Sequence, residues 1–243
     1  MVLVPGLGSG SRLFGTLPRR FQRAGFTCAV IDPVGLPPSG PATGAWNFDD
    51  AAADLLAVAA TLPRPVSLVG TSLGGKVALA AAARAPGAVD RLVMLCSSAV
   101  QTARSHRVYR WFEILCTETP PTLLGDLTAP FLFGATFHAE RKGMVDDIVR
   151  STKPSPDSIR LMREQCAALR VFDGSALAAA CHLPTLCLSG AEDTLTLPEE
   201  VEASAGLFPH AHHHCLPRAG HSLLLESTEA FERVVSFLRH PAD

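Results

Sequence analysis

The 243 residues predict an α/β protein of three layers, a mostly parallel sheet with helices on both faces and an inserted helical segment. Three observations carry this. Short apolar runs alternate along the chain with amphipathic helical patterns. The runs are nearly all continuous rather than alternating in polarity, as expected of strands covered on both faces. The alternation then breaks once, from about residue 100 to 177, where only helical patterns occur. The division is therefore a sheet core from 1–99 and 178–243 with a helical cap from 100–177.

The strand candidates are Val2–Val4, Thr27–Ile31, Val66–Val69, Arg91–Cys96, Pro184–Ser189 and His212–Leu216, each ending in a turn rich in glycine, proline or serine. Helices are predicted near 12–24, 48–62, 73–85, 198–207 and 226–239. Asp49-Asp50 and Pro198 supply N-terminal signals for two of them. Within the insertion, Arg107–Cys116, His138–Arg150 and Ser158–Phe172 have amphipathic spacing, separated by turns such as Thr119-Pro120-Pro121. Trp111, Phe112, Phe131, Phe133 and Phe137 read as core of that insertion, with some lining an apolar pocket beneath it.

Composition narrows the function classes. Hydrophobic residues make up 47%, ample for a buried core. Lys+Arg of 21 against Asp+Glu of 23 gives no basic field for nucleic acid. No apolar run is long enough to span a bilayer, and the first residues lack a charged region of the secretory kind. The seven cysteines (28, 96, 116, 166, 181, 187, 215) are odd in number, contain no C-x-x-C pair and sit mostly in apolar segments. They read as buried thiols in a cytoplasmic protein. Lysine occurs only at 76, 142 and 153, the composition of a GC-rich bacterial genome.

The segment Val66-Ser67-Leu68-Val69-Gly70-Thr71-Ser72-Leu73-Gly74-Gly75 places G-x-S-x-G between a strand and a helix. A bare match is expected by chance in roughly one chain in ten of this size, so the strand–turn–helix setting carries the weight. A serine there sits in a strained turn where glycines at 70 and 74 avoid collision, and the helix N-terminus stabilises developing negative charge. Ser72 is thus the candidate nucleophile. It needs a base, and His221 stands on a loop just past the last strand. The base needs an acceptor for its far ring nitrogen; Asp193 and Glu192, in the loop after the preceding strand, are the candidates. The strand end Cys96-Ser97-Ser98-Ala99 offers no carboxylate. The glycine-rich Pro5-Gly6-Leu7-Gly8-Ser9-Gly10 can turn the Leu7 amide toward the elbow, forming an oxyanion hole with the Leu73 amide. It fits neither a phosphate loop, which needs Gly-Lys-Ser/Thr, nor G-x-G-x-x-G, since position 11 is serine.

Together these segments resemble the α/β-hydrolase superfamily over nearly the whole chain, with the order Ser72, Asp193, His221. The resemblance implies Ser72 as nucleophile, His221 as general base, Asp193 rather than Glu192 as orienting acid, and Leu7 and Leu73 as oxyanion donors. It implies no cofactor and no metal. Gly190-Ala191-Glu192-Asp193 has the spacing of the family's acid loop, and the insertion falls where its cap sits. Pro5-Gly6 replaces the family's frequent His-Gly, and Asp32-Pro33-Val34-Gly35 through Gly40 loosely matches its Asp-x-x-Gly-x-Gly-x-Ser loop. Met1 begins almost directly on what resembles the family's third strand, so its first hairpin is absent or the start is misplaced. The activity implied is hydrolysis of an ester, lactone or thioester of a medium-sized apolar acyl substrate; the alternative is a tailoring enzyme, an acyl-eliminating lyase or acyltransferase, on the same residues. His210, His212, His213 and His214 read as a solvent-facing edge strand rather than a metal site.

Overall fold

The computed structural model describes residues 1–42 and 44–239. Six strands, β1 (Val2–Val4), β2 (Ala29–Val30), β3 (Ser67–Thr71), β4 (Arg91–Leu95), β5 (Thr185–Gly190) and β6 (Ala211–Leu216), form one sheet in the order β2-β1-β3-β4-β5-β6. Every pairing is parallel. All six stand where apolar runs predict them. β2 is shorter than its predicted five residues because it pairs only at Val2↔Ala29 and Leu3↔Val30.

Continuity of the apolar runs has a direct cause in packing. Val2, Val4, Leu68, Leu92 and Met94 face one core, with α2 (Phe48–Ala60), α3 (Leu73–Arg84) and α10 (Pro198–Ala205) against it. Leu3, Val69, Val93, Leu95, Leu186 and Leu188 face the other, covered by α1 (Leu17–Arg23) and α12 (Thr228–Arg239). Neighbours in the sequence thus point to opposite sides and both sides are dry. Burying each such leucine contributes about 1.5–3 kcal/mol relative to exposure. β6 closes one edge of the sheet, and there His212 and His214 are exposed. His213 instead pairs with Ser189 of β5, ring Nε2 to hydroxyl at 2.8 Å. All seven cysteines are free, five of them buried.

Between β4 and β5 the described residues form helices only: α4 (Ala103–Glu118), α5 (Leu124–Leu132), α6 (Ala135–Glu140), α7 (Lys142–Ser151), α8 (Pro156–Leu169) and the short α9 (Ser175–Ala179). The single helix predicted over 138–150 is two, broken at Arg141, whose backbone leaves the helical region at φ −126°. α5 is not among the predicted helices; it carries Pro130 in its interior, which cannot donate the i→i−4 hydrogen bond. Phe133 and Phe137 stack at 5.6 Å within a small core of their own with Ala129 and Val145. The helix predicted near 226–239 is α12, preceded by the short α11 (Leu223–Glu226). No helix among the described residues is long and apolar enough to cross a membrane.

Candidate active site

Parallel strands deliver all their following loops to one edge, and every candidate residue stands there. Ser72 follows β3 directly and is the first residue before α3, with φ 54° and ψ −120°. That backbone is strained for a residue with a side chain. It is held because the Ser72 amide donates to the Leu95 carbonyl at 2.8 Å and its carbonyl accepts from Gly75 at 3.0 Å. The glycines are there for space. A Cβ on Gly70 would lie 2.2 Å from the Gly74 carbonyl oxygen, and one on Gly74 would lie 2.2 Å from that of Val4. Both obstacles are backbone and cannot turn aside. Gly74→Ala is therefore expected to separate α3 from β1 and cost several kcal/mol, read as a lowered Tm together with lost activity; a normal Tm would contradict this packing.

The loop after β1 runs beside the elbow, so that a Cβ on Gly6 would come within 3.5 Å of the Ser72 Cβ. Leu7 and Gly8 follow, Gly8 with φ +62°. Two contacts pin this loop from outside. The Gly8 amide donates to Gln165 Oε1 of α8 at 2.7 Å, and the Ser11 amide donates to Asp32 Oδ1 at 2.6 Å. Leu73 opens α3 with its side chain buried, and its amide belongs to the first turn, whose N–H groups have no partner within the helix.

His221 and Asp193 are in contact. His221 Nδ1 lies 2.8 Å from Asp193 Oδ2, with both side chains buried. Asp193 Oδ1 accepts from the Leu195 and Thr196 amides at 2.8 and 3.0 Å, so the carboxylate is fixed at both oxygens. Burial by itself lowers the affinity of the His221 ring for a proton. The Asp193 charge and hydrogen bond, aided by Glu226, outweigh it and raise the pKa above 6.5. Glu192 is occupied elsewhere: its carboxylate accepts from the Thr136 hydroxyl at 2.5 Å and from the Thr136 amide at 2.8 Å, tying α6 to this loop.

Three residues not singled out from the sequence complete the surroundings. Glu226 accepts from the amides of Gly220 (2.8 Å) and Ser222 (2.9 Å) on either side of His221, and from Gly134 at 2.9 Å. Its burial raises the carboxyl pKa despite these donors. Cys96, at φ 47° just past β4, brings its sulfur within 4.8 Å of the ligand atoms of Asp193 and His221, and 3.7 Å from the Gly220 carbonyl. Burial, reinforced by the Asp193 charge, pushes this thiol well above its ordinary range, so it stays a neutral filler rather than a nucleophile. Lys76, buried in the first turns of α3, donates to the Ser98 carbonyl, and burial lowers its pKa to about 8. No periodicity marks any of the three; Glu226 and Cys96 reach the Asp193–His221 pair only through the fold, and Lys76 turns toward Ser98.

A cavity of about 400 Å³ is lined among others by Val4, Pro5, Ile31, Trp46, Leu73 and Gln165; it borders the elbow through Leu73, and neither Ser72 nor His221 lines it.

Comparison with known proteins agrees with this architecture. A pimeloyl-acyl-carrier-protein methyl ester esterase of Neisseria meningitidis is 29% identical, over 94% of this chain and 89% of that protein. An α/β-hydrolase enzyme from a Medee basin deep-sea metagenome superposes with a TM-score of 0.89 at 17% identity, covering 100% of this chain and 90% of the other. The enol-lactonase of Burkholderia xenovorans gives 0.85 at 24% identity, over 98% and 90%. The profile of the alpha/beta hydrolase fold family matches residues 1–228, and the chain is a member of that family.

Proposed function

We propose that the protein is a serine hydrolase that cleaves an ester, lactone or thioester of a medium-sized, largely apolar acyl substrate through an acyl-enzyme. The observation that carries the reading is the buried His221–Asp193 hydrogen bond at the same strand edge as the strained Ser72 elbow. Similarity to a methyl ester esterase and the fold shared with an enol-lactonase support the substrate class.

The chemistry follows from the assigned roles. His221 takes the Ser72 hydroxyl proton through Nε2 as Oγ attacks the acyl carbonyl, and Asp193 stabilises the imidazolium that results. The Leu7 and Leu73 amides receive the oxyanion. Collapse breaks the acyl–oxygen or acyl–sulfur bond, the proton passing from His221 to the leaving group. Water, deprotonated by His221, then attacks the acyl-enzyme; the proton returns to Ser72 as acid is released. Residues 100–177 act as a lid, their α8 lying against the loop after β1 through Gln165.

A series of p-nitrophenyl esters of rising acyl length tests the class. Turnover peaking at intermediate length is expected. A protein that reacts with a fluorophosphonate at Ser72 yet turns over none of these esters would instead be using the same residues for acyl transfer or elimination.

A further inference from the structure

Gln165 of α8 is fully buried, at 0% exposure, and lines the cavity beside the elbow. Its amide orientation is fixed by chemistry. The Gly8 N–H is a donor, so the atom 2.7 Å from it must be the side-chain oxygen; the opposite orientation would set donor against donor. This leaves Nε2, with two N–H groups, on the other side, and it has no acceptor among the described residues. Buried amides are rarely left in this state, because the hydrogen bonds lost to water go unreplaced. The backbone there has little freedom to relax. Gly8 is left-handed and pressed on α8, where a Cβ would fall 1.9 Å from Met162 Cγ. Trp46 is tied to the same helix by its amide, 3.0 Å from Glu164 Oε2.

We infer that Gln165 Nε2 is a recognition donor for the substrate, and that the acyl chain carries a second, neutral carbonyl at that point. This rests on the hydrolase reading above and narrows its substrate class. Neutrality follows from the other lining groups. Asp50 and Asp54 also border the cavity, while no lysine or arginine does among the described residues. A ligand carboxylate would meet like charge with no counter-ion among the lining residues, whereas an ester, ketone or amide oxygen accepts from Nε2 without that penalty. Gln165 thereby joins three things: the lid, the loop bearing the Leu7 amide, and the substrate.

The test uses three fluorophosphonates of equal chain length on the intact protein: a plain alkyl chain, one with an in-chain ester carbonyl, and one ending in a carboxylate. Labelling rates are read by intact mass. Wild type is expected to react with the ester-bearing probe about tenfold faster than with the plain one, the effect of one satisfied hydrogen bond. The carboxylate probe should be the slowest. Gln165→Met removes the donor, and Gln165→Glu keeps an acceptor for Gly8 while removing the amide donors; in each the ratio of ester-bearing to plain should collapse toward one. Equal rates in wild type, or a ratio that survives in both variants, overturns the subsite while leaving the nucleophile intact. A carboxylate probe as fast as the ester probe overturns the neutral class. No adduct from any probe overturns the nucleophile assignment and the subsite together.

Discussion

Ser72→Ala is expected to lower ester hydrolysis by about six orders of magnitude, leaving only what binding and oxyanion stabilisation contribute. It should also abolish the fluorophosphonate adduct seen by intact mass in the wild type. The substitution is mild for the fold. Alanine keeps the Cβ that Ser72 already carries at φ 54°, and the two backbone bonds to Leu95 and Gly75 do not involve the side chain. A Tm close to wild type is therefore expected, so lost labelling reports chemistry and not unfolding. The informative control is Ser189, which also hydrogen-bonds a histidine, His213, at 2.8 Å. The resemblance to a catalytic pair is superficial. Ser189 is completely buried within β5, and burial is the main influence lowering the His213 pKa. The His213 ring stands in a sheet edge, whereas the partner of His221 is a carboxylate fixed at both oxygens. Ser189→Ala should label at the wild-type rate. Labelling that persists in Ser72→Ala, or disappears in Ser189→Ala, would reverse the assignment.

What could be read from the chain alone follows the range of the interactions involved. Strands such as Ser67–Thr71 and Arg91–Leu95 are visible because burial on both faces imposes an apolar residue at nearly every position. The elbow is visible because the steric demand falls on Gly70 and Gly74, only a few residues apart. Glu192 and Asp193 are adjacent and chemically alike, so residue type could not choose between them; the fold turns one toward His221 and the other toward Thr136. Cys96 is hidden for a different reason: the end of β4 carries no carboxylate, and a thiol packed against the Asp193–His221 pair fills that position. Gln165 holds the Gly8 amide 157 residues away, and Glu226 the Gly134 amide 92 residues away besides the nearby Gly220 and Ser222; residue type alone marks none of these contacts.

Asp193→Asn is expected to reduce kcat by about four orders of magnitude, as loss of a triad acid does when the geometry is otherwise kept. The reason is specific to this pocket. His221 is buried, and burial disfavours its imidazolium; only the Asp193 charge and hydrogen bond, with a smaller contribution from Glu226, raise the pKa above 6.5. An asparagine removes the charge and lets its amide nitrogen face Nδ1, which stabilises the wrong tautomer. The pH dependence separates these effects from unfolding. The base works when neutral, so kcat/KM in the wild type should rise with pH through a midpoint above 6.5; the residual activity of Asp193→Asn should rise through a lower one. Stability runs the other way. A histidine whose folded pKa is raised contributes stability that is fully present below 6.5 and is lost as pH climbs through the folded value. The Tm deficit of Asp193→Asn should thus be larger at pH 6 than at pH 9. An unshifted rate profile with near-normal kcat would remove Asp193 from the mechanism, and Glu192→Gln would then be the variant expected to lose activity.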